Sequence, residues 1–354
     1  MSTLVKGIHH ITQCPGPAQQ DLDFCTQVLG QRLVKQTVLM DGSIPIYHFY
    51  YGNGDAEPGS IATSFPYSRK PGRRGSGQIS RLSYAVPQGT MAFWKDHLDR
   101  HSVEHSGIEE RFARKYLRMW HPAGMQYEVV EADDPRRPST TKCISEDVAS
   151  RGFFGAVMSV RSIEEQELFF VDALGFRKIG VDGPYHRFEA ACGGPGGIID
   201  LHHEPDLPPG SWGFGSGTFH HIAFSVENDE ALFAQKAHYE ELGYTDASEV
   251  KDRYYFHSMY VRSPGGILVE CTANVPGGFY QDESAEELGT KLTLPPWYES
   301  QRAEILAMLE PVTLPDENRR ERTHRPFAGS TPVGASTTSI PLSRSNPDFA
   351  RYQR

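Results

Sequence analysis

TFHHIAFSV (218–226) is an apolar run headed by a histidine pair, and GIHHITQC (7–14) has the same form near the start of the chain. Apolar runs of this length, bounded by glycine and polar residues, read as buried strands. Each opens a copy of a repeat of about 60–75 residues, the mark of a modular architecture. After its strand, a copy carries a helical segment that closes on Leu-Gly: Leu29-Gly30 in copy one, Leu174-Gly175 in copy three and Leu242-Gly243 in copy four. His10 to Leu29 is 19 positions, Gly155 to Leu174 is also 19, and His221 to Leu242 is 21. The glycines stand where a helix end needs a left-handed residue. Ser162-x-x-Glu165 has the form of a capping box opening the helix of copy three. Copy two is less regular, with ISRLSYAV (79–86) as strand and MAFWKDHLDRHS (91–102) as helix. Its ending, HPAGMQYEVVE (121–131), nevertheless matches SPGGILVEC (263–271) of copy four.

The 354 residues suffice for two average domains. Modules one and two occupy 6–134, a polar proline-bearing linker 135–150, and modules three and four 151–275. A helical extension follows over 276–314, with its helix at 297–309. The tail 315–354 turns to Arg, Ser, Thr, Pro and Gly and reads as flexible. The chain is 38% hydrophobic and 23% charged, ordinary for a globular protein, and its formal charge of −10 argues against a nucleic-acid surface. No run approaches the roughly 18 apolar residues of a membrane span, and MSTLVKGIHH lacks the features of a signal peptide. Five cysteines without a CxxC pair read as reduced thiols of a cytoplasmic protein. Cys271 should face away from its neighbour Glu270.

Two imidazoles and one carboxylate delivered by strands are what an open-sided iron(II) site needs. Copies two and three carry Arg81-Leu82 and Phe154-Gly155 where the others carry histidine pairs, so the pairs are not a demand of the repeat itself. Glu270 and Glu128 both lie six residues after a proline; at that offset copies one and three have Ser64 and Leu201. Copy four alone combines the histidine pair with the glutamate. Glu270 stands between Val269 and Cys271 in an apolar strand, where a carboxylate needs a partner and a metal would supply one. Glu128 reads as a structural or solvent-facing residue. His202, His203 and Glu204 are contiguous, so their side chains diverge and cannot converge on one ion. His48, His97 and His121 sit among polar neighbours and read as surface or capping residues. Thr12 shares the strand face of His10. Arg253, His257 and Tyr260 lie on an aromatic strand that leads into the SPGG turn, and each is a candidate to reach a pocket.

The repeat, the histidine-pair strands and the PGG-x3-E ending resemble the vicinal oxygen chelate superfamily, and within it the hydroquinone ring-cleaving dioxygenases. HHIT (9–12), GQRLVKQT (30–37), DGSIPIYH (41–48), IIDLHHEPD (198–206), HHIAF (220–224), YVRSPGGILVE (260–270) and ELGTKL (287–292) carry that resemblance. It implies an α+β fold of four βαβββ modules in two paired-module halves, with His10, His221 and Glu270 holding Fe(II); Mn(II) suits the same donors. His220, Arg253 and Tyr260 then take catalytic roles around the metal, and His9, Thr12 and His257 bind substrate. O2 and a hydroquinone are the implied partners, with no nucleic acid or membrane involved and a homo-oligomer left open. A glyoxalase-like lyase, a catechol dioxygenase and a non-catalytic binding module are the alternatives. Because the ligands come from copies one and four, these two modules should pair around the ion, leaving two and three to pair together. His9 and His220 can join the site only if a bulge turns them toward it.

Overall fold

The computed structural model describes residues 5–39, 45–67, 70–139 and 141–315; the predicted tail lies outside them from residue 316 onward. Module one comprises β1 (Ile8–Cys14), α1 (Ala18–Asp23), β2 (Arg32–Leu39), β3 (Ile46–Gly52) and β4 (Ile61–Ser64). Module two comprises β5 (Gln78–Val86), α2 (Met91–Arg100), β6 (His105–Arg111), β7 (Arg114–Trp120) and β8 (Gln126–Glu131). Module three comprises β9 (Phe153–Val160), α3 (Ile163–Leu168), β10 (Arg177–Asp182), β11 (Tyr185–Glu189) and β12 (Ile198–His203). Module four comprises β13 (Thr218–Ser225), α4 (Asp229–Glu241), β14 (Lys251–Asp252), β15 (Phe256–Arg262) and β16 (Leu268–Asn274). Each copy is therefore βαβββ, and the chain is α+β.

The helices end as their glycines require: Gly30, Gly175 and Gly243 have φ of +64°, +75° and +89°. The capping box does not form. Ser162 is the N-cap of α3, but its hydroxyl turns to the Glu164 carboxylate instead of bonding the helix backbone. The predicted helix at 297–309 begins as a 3-10 turn (Pro296–Gln301) and becomes α-helical as α5 (Arg302–Met308).

The sixteen strands form two curled sheets of eight, in the orders β14-β15-β16-β13-β1-β4-β3-β2 and β10-β11-β12-β9-β5-β8-β7-β6. The first sheet joins modules one and four; the second joins modules two and three. Each sheet thus takes one module from 6–134 and one from 151–275. The segment 135–150 between them is packed: Ile144 lies in the core, and Arg136 donates to the carbonyls of Gly59 and Phe153.

The central strand pair of each sheet carries bulges at matching places. In β1–β13, Ile8 pairs with Phe224 and His10 with Ala223, so His9 is the extra residue; Thr12 pairs with His221 and Gln13 with Phe219, so His220 is extra on the other strand. In β5–β9 the extra residues are Ser80 and Phe154. A bulge adds a residue without shifting the rest of the face and turns one side chain toward its neighbour. This resolves the alternation problem posed by adjacent histidines.

The back of the first sheet is covered by α4, whose Tyr239 hydroxyl lies 3.2 Å from the Cys271 thiol. Cys271 therefore faces away from Glu270, as strand alternation requires. The extension is tied to the first sheet by buried Lys35 on β2, whose ammonium pairs with Asp282 and Glu283 at 2.6 and 2.5 Å. That anchor brings Pro295, Trp297 and Tyr298 over the open side of the sheet, where they line a cavity.

Candidate metal centre

His10 on β1, His221 on β13 and Glu270 on β16 converge. Their ligand atoms lie within 4.8 Å of one another, and all three residues are buried. His10 Nε2 is 3.3 Å from Glu270 Oε2, His221 Nε2 is 2.9 Å from it, and the two imidazole nitrogens are 3.3 Å apart. This is the one such cluster of His, Cys, Asp or Glu among the described residues. His202 and Glu204 contact each other at 3.0 Å, and the His202 ring stacks on Tyr185; they belong to no such cluster.

The histidine pairs set the protonation of the inner ring. His9 Nδ1 lies 2.9 Å from His10 Nδ1, and His9 Nε2 lies 2.8 Å from the Asn274 amide oxygen. Burial is the main cause that pushes His9 down to about 3, so it is neutral. With its Nε2–H donated to Asn274, its Nδ1 accepts the proton of His10 Nδ1. His10 Nε2 is then a lone pair facing the carboxylate. The other pair repeats the arrangement, with His220 Nδ1 2.8 Å from His221 Nδ1 and the His220 ring flat on Phe214. Burial first, then His221, holds His220 well below its usual range. A neutral His220 orients His221 and is not poised to exchange protons near neutrality.

Two lone pairs and a carboxylate oxygen aimed at one point repel one another unless a cation lies between them. Burial disfavours a charge on Glu270, so a carboxylate that faces two lone pairs there needs a cation beside it. Glu270 Oε2 is buried without a hydrogen-bond donor in good geometry among the described residues. The donor set therefore fits a divalent metal of borderline hardness. Thr12 completes the inner wall: its hydroxyl lies 2.7 Å from His221 Nε2 and 2.6 Å from the Thr63 hydroxyl.

By register, Thr63 occupies in module one the place that Glu270 has in module four, since Thr12 pairs with Thr63 as Ala223 pairs with Glu270. The matching residue of module three is Asp200, opposite Val157. The sequence offset that suggested Ser64 and Leu201 was one residue out, because turn lengths differ between copies. Glu128 is also at this position, opposite Ser83. It is neither exposed nor at a metal site. Arg111 binds it in bidentate fashion at 3.1 and 2.7 Å, Arg81 lies at 3.3 Å, and Ser83 donates at 2.8 Å.

The candidate centre opens on a cavity of about 230 Å³ lined by His10, Thr12, His221, Arg253 and Tyr260, among others. That exceeds the roughly 150 Å³ that holds a benzene in an engineered apolar cavity. Arg253 Nη2 is 3.5 Å from the Tyr260 hydroxyl. Burial first, and Glu270 with it, pushes the Tyr260 phenol up despite Arg253, so it keeps its proton and can donate. His257 does not line this cavity. It lies three residues from Tyr260, hence on the other face of β15, with Nδ1 2.8 Å from the Asp229 carboxylate.

Several lining residues escaped the sequence reading. His48 is in the wall, not on the surface, and His97 and His121, grouped with it, are buried. Tyr50 on β3 stands opposite Thr63 as Tyr260 stands opposite Glu270. Phe65, Trp297 and Tyr298 also contribute. The spacing of His48 and Tyr50, two apart on a strand, was the available signal.

A model of the Glyoxalase/Bleomycin resistance protein/Dioxygenase superfamily matches residues 154–271. The chain is 41% identical to a chlorohydroquinone/hydroquinone 1,2-dioxygenase of Sphingobium indicum, over 88% of this chain and 98% of that one. It is 38% identical to MhqO of Bacillus subtilis, assigned as a ring-cleaving dioxygenase, over 86% and 96% of the two chains. The crystal structure of a protein from Bacillus subtilis assigned as a dioxygenase superposes with a TM-score of 0.83 at 36% identity, covering 89% of this chain and 99% of that one. No helix among the described residues is long and apolar enough to cross a membrane.

Proposed function

This chain belongs to the glyoxalase/dioxygenase superfamily, among its ring-cleaving dioxygenases, and from that premise we propose that it opens hydroquinone rings with O2 at an extradiol-type iron(II) centre. His10, His221 and Glu270 would hold the metal, with manganese(II) accommodated by the same donors. The observation that carries this reading is the three-donor set itself, two imidazoles and one carboxylate on one side of a ring-sized cavity. Held by these residues, such an ion would bring substrate and O2 together and activate them.

The protein's own residues do the rest. Tyr260 donates a hydrogen bond to the substrate oxygen nearest the metal. Arg253 beside it places a fixed positive charge where negative charge develops, in a cavity also lined by Phe256, Trp297 and Tyr298. Thr12 orients the substrate from the opposite strand. His9 and His220 act behind the ligands, keeping a lone pair on each inner Nε2. The product is an open-chain carboxylate. The five unpaired cysteines are in keeping with a cytoplasmic site of action.

A glyoxalase-like lyase would take a fourth protein ligand. Thr63 stands where that carboxylate would have to be, which favours the dioxygenase. A binding module without turnover leaves the Glu270 cluster unexplained. The test is oxygen-electrode measurement with iron-loaded protein and a series of hydroquinones and catechols. Uptake with hydroquinones and little with catechol is expected. Uptake with catechol alone, or none with any diol, would sink the proposal.

A further inference from the structure

Two polar atoms in the cavity wall take no part in the centre described above. His48 on β3 and Thr37 on β2 are direct cross-strand partners, and both line the cavity. His48 Nδ1 is engaged by the Tyr50 hydroxyl at 3.0 Å. His48 Nε2 and Thr37 Oγ1 are both buried and without a hydrogen-bond partner among the described residues. Buried polar atoms are nearly always satisfied, so two side by side in one wall mark the place of a polar group of a ligand. Opposed side chains on an antiparallel pair start about 4.5–5.5 Å apart, so one small group can meet both. Burial first, with the charge of Arg253 adding to it, holds His48 well below its usual range, so its ring is neutral. A neutral imidazole and a threonine hydroxyl offer donor and acceptor capacity together, which is the complement of a hydroxyl.

Their position gives the geometry of that ligand. The metal ligands lie on β16, β13 and β1, whereas β3 is two strands beyond β1 and β2 is three, at about 4.8 Å per strand. His48 and Thr37 therefore address the cavity from its outer side, with Phe65, Val38 and Leu39 around them. An ortho-diol has both oxygens on one edge of its ring, and both would turn to the metal. A para-diol has them at opposite corners.

We infer that His48 and Thr37 form the receptor for the second hydroxyl of a para-diol, the one remote from the metal, and so select hydroquinones over phenols and catechols. This rests on the ring-cleavage reading for its substrate class. No metal ligand and no neighbour of one is involved.

Anaerobic calorimetry with metal-loaded protein tests it, using hydroquinone, phenol and catechol as probes and His48→Phe, His48→Gln and Thr37→Val as variants. Wild-type protein should bind hydroquinone about tenfold or more tighter than phenol, as expected for one or two hydrogen bonds. His48→Phe and Thr37→Val should each weaken hydroquinone by about tenfold while moving phenol less than twofold, and His48→Gln, which keeps a donor, should recover part of the loss. Metal content at the wild-type level verifies that the variants are folded. An unchanged hydroquinone-to-phenol ratio in both His48→Phe and Thr37→Val overturns the receptor, as does equal binding of the two probes by wild-type protein. Wild-type protein that shows the preference but consumes no O2 would remove the ring-cleavage reading and leave the receptor standing.

Discussion

In the first sheet the bulge residues are His9 and His220, and the concave face holds two imidazoles and a carboxylate. In the second they are Ser80 and Phe154, and the same face holds three guanidiniums and two carboxylates. The strand pattern, the bulges and the position of one glutamate are shared: Glu270 and Glu128 are register equivalents. What differs is how the buried negative charge is met. At Glu128 the chain supplies the cation, with Arg111 bridging Glu128 and Asp200 and Arg187 binding Asp200 at 2.7 and 2.8 Å. Arg111 even matches Arg253 by position, each lying seven residues before the residue paired with the glutamate, Arg118 and Tyr260. In the first sheet that arginine stays at the cavity wall, away from the cluster of His10, His221 and Glu270. One module pair has closed this face with its own charges, and the other lines a cavity with it.

Replacing the carboxylate on each side separates these roles. Glu270→Gln should empty the centre and lower O2 uptake by about a thousandfold or more, roughly 4 kcal/mol of transition-state stabilisation, read by elemental analysis and oxygen electrode. Glu128→Gln should leave metal content unchanged. On the second sheet, Arg111→Leu removes the cation shared by Glu128 and Asp200, leaving each carboxylate a single arginine, and should cost about 3 kcal/mol in urea unfolding of the metal-free protein. Wild-type stability in that variant would show that the second site is not an ion-pair core.

The acid side of the stability profile sharpens the contrast. Burial opposes the charge on Glu128, but Arg111 and Arg81 hold its carboxyl down to about 2, against an ordinary 4.5. A depressed carboxylate contributes stability above its unfolded value and loses it as pH falls through the folded one. Glu128 should therefore contribute about 3 kcal/mol that is present above pH 4.5 and lost toward pH 2. Denaturant melts between pH 6 and 3 should show a shallower fall in Glu128→Gln than in wild type.

Smaller effects belong to the bulge residues and their surroundings. His9→Leu and His220→Leu should each weaken metal binding about 10–100-fold, because the inner histidine loses the acceptor that fixes its tautomer. Competition with a metallochromic chelator measures this; affinity at the wild-type level would mean that backbone geometry alone orients the ligands. The smallest change is expected at His257, whose ring serves Asp229 on the outer face. His257→Ala should alter kcat/KM by less than about twofold, in the range of ordinary surface substitutions.

Much of this was readable from the chain because it depends on local chemistry. The Leu-Gly helix ends, the strand runs and the isolation of Glu270 in an apolar strand are properties of short segments. Strand alternation could also have excluded His257, since it and Tyr260 are an odd number of residues apart. The matching of Thr63 and Asp200 to Glu270 could not be counted along the chain, because turns of different length intervene. His48 was signalled only by its spacing from Tyr50 in an aromatic run; the pairing of β2 with β3 and the extension are what place it in the cavity wall.

By itself the sequence determined which residues can ligate a metal, which strand carries each, and that the copies bearing them are the first and last. Tertiary structure alone decided that these strands lie side by side in one sheet, that bulges turn His9 and His220 onto His10 and His221, and that the second sheet satisfies its glutamate with arginine. The reason is physical. Donor chemistry resides in a single side chain, whereas the convergence of donors and the balance of buried charge depend on register between strands far apart in the chain.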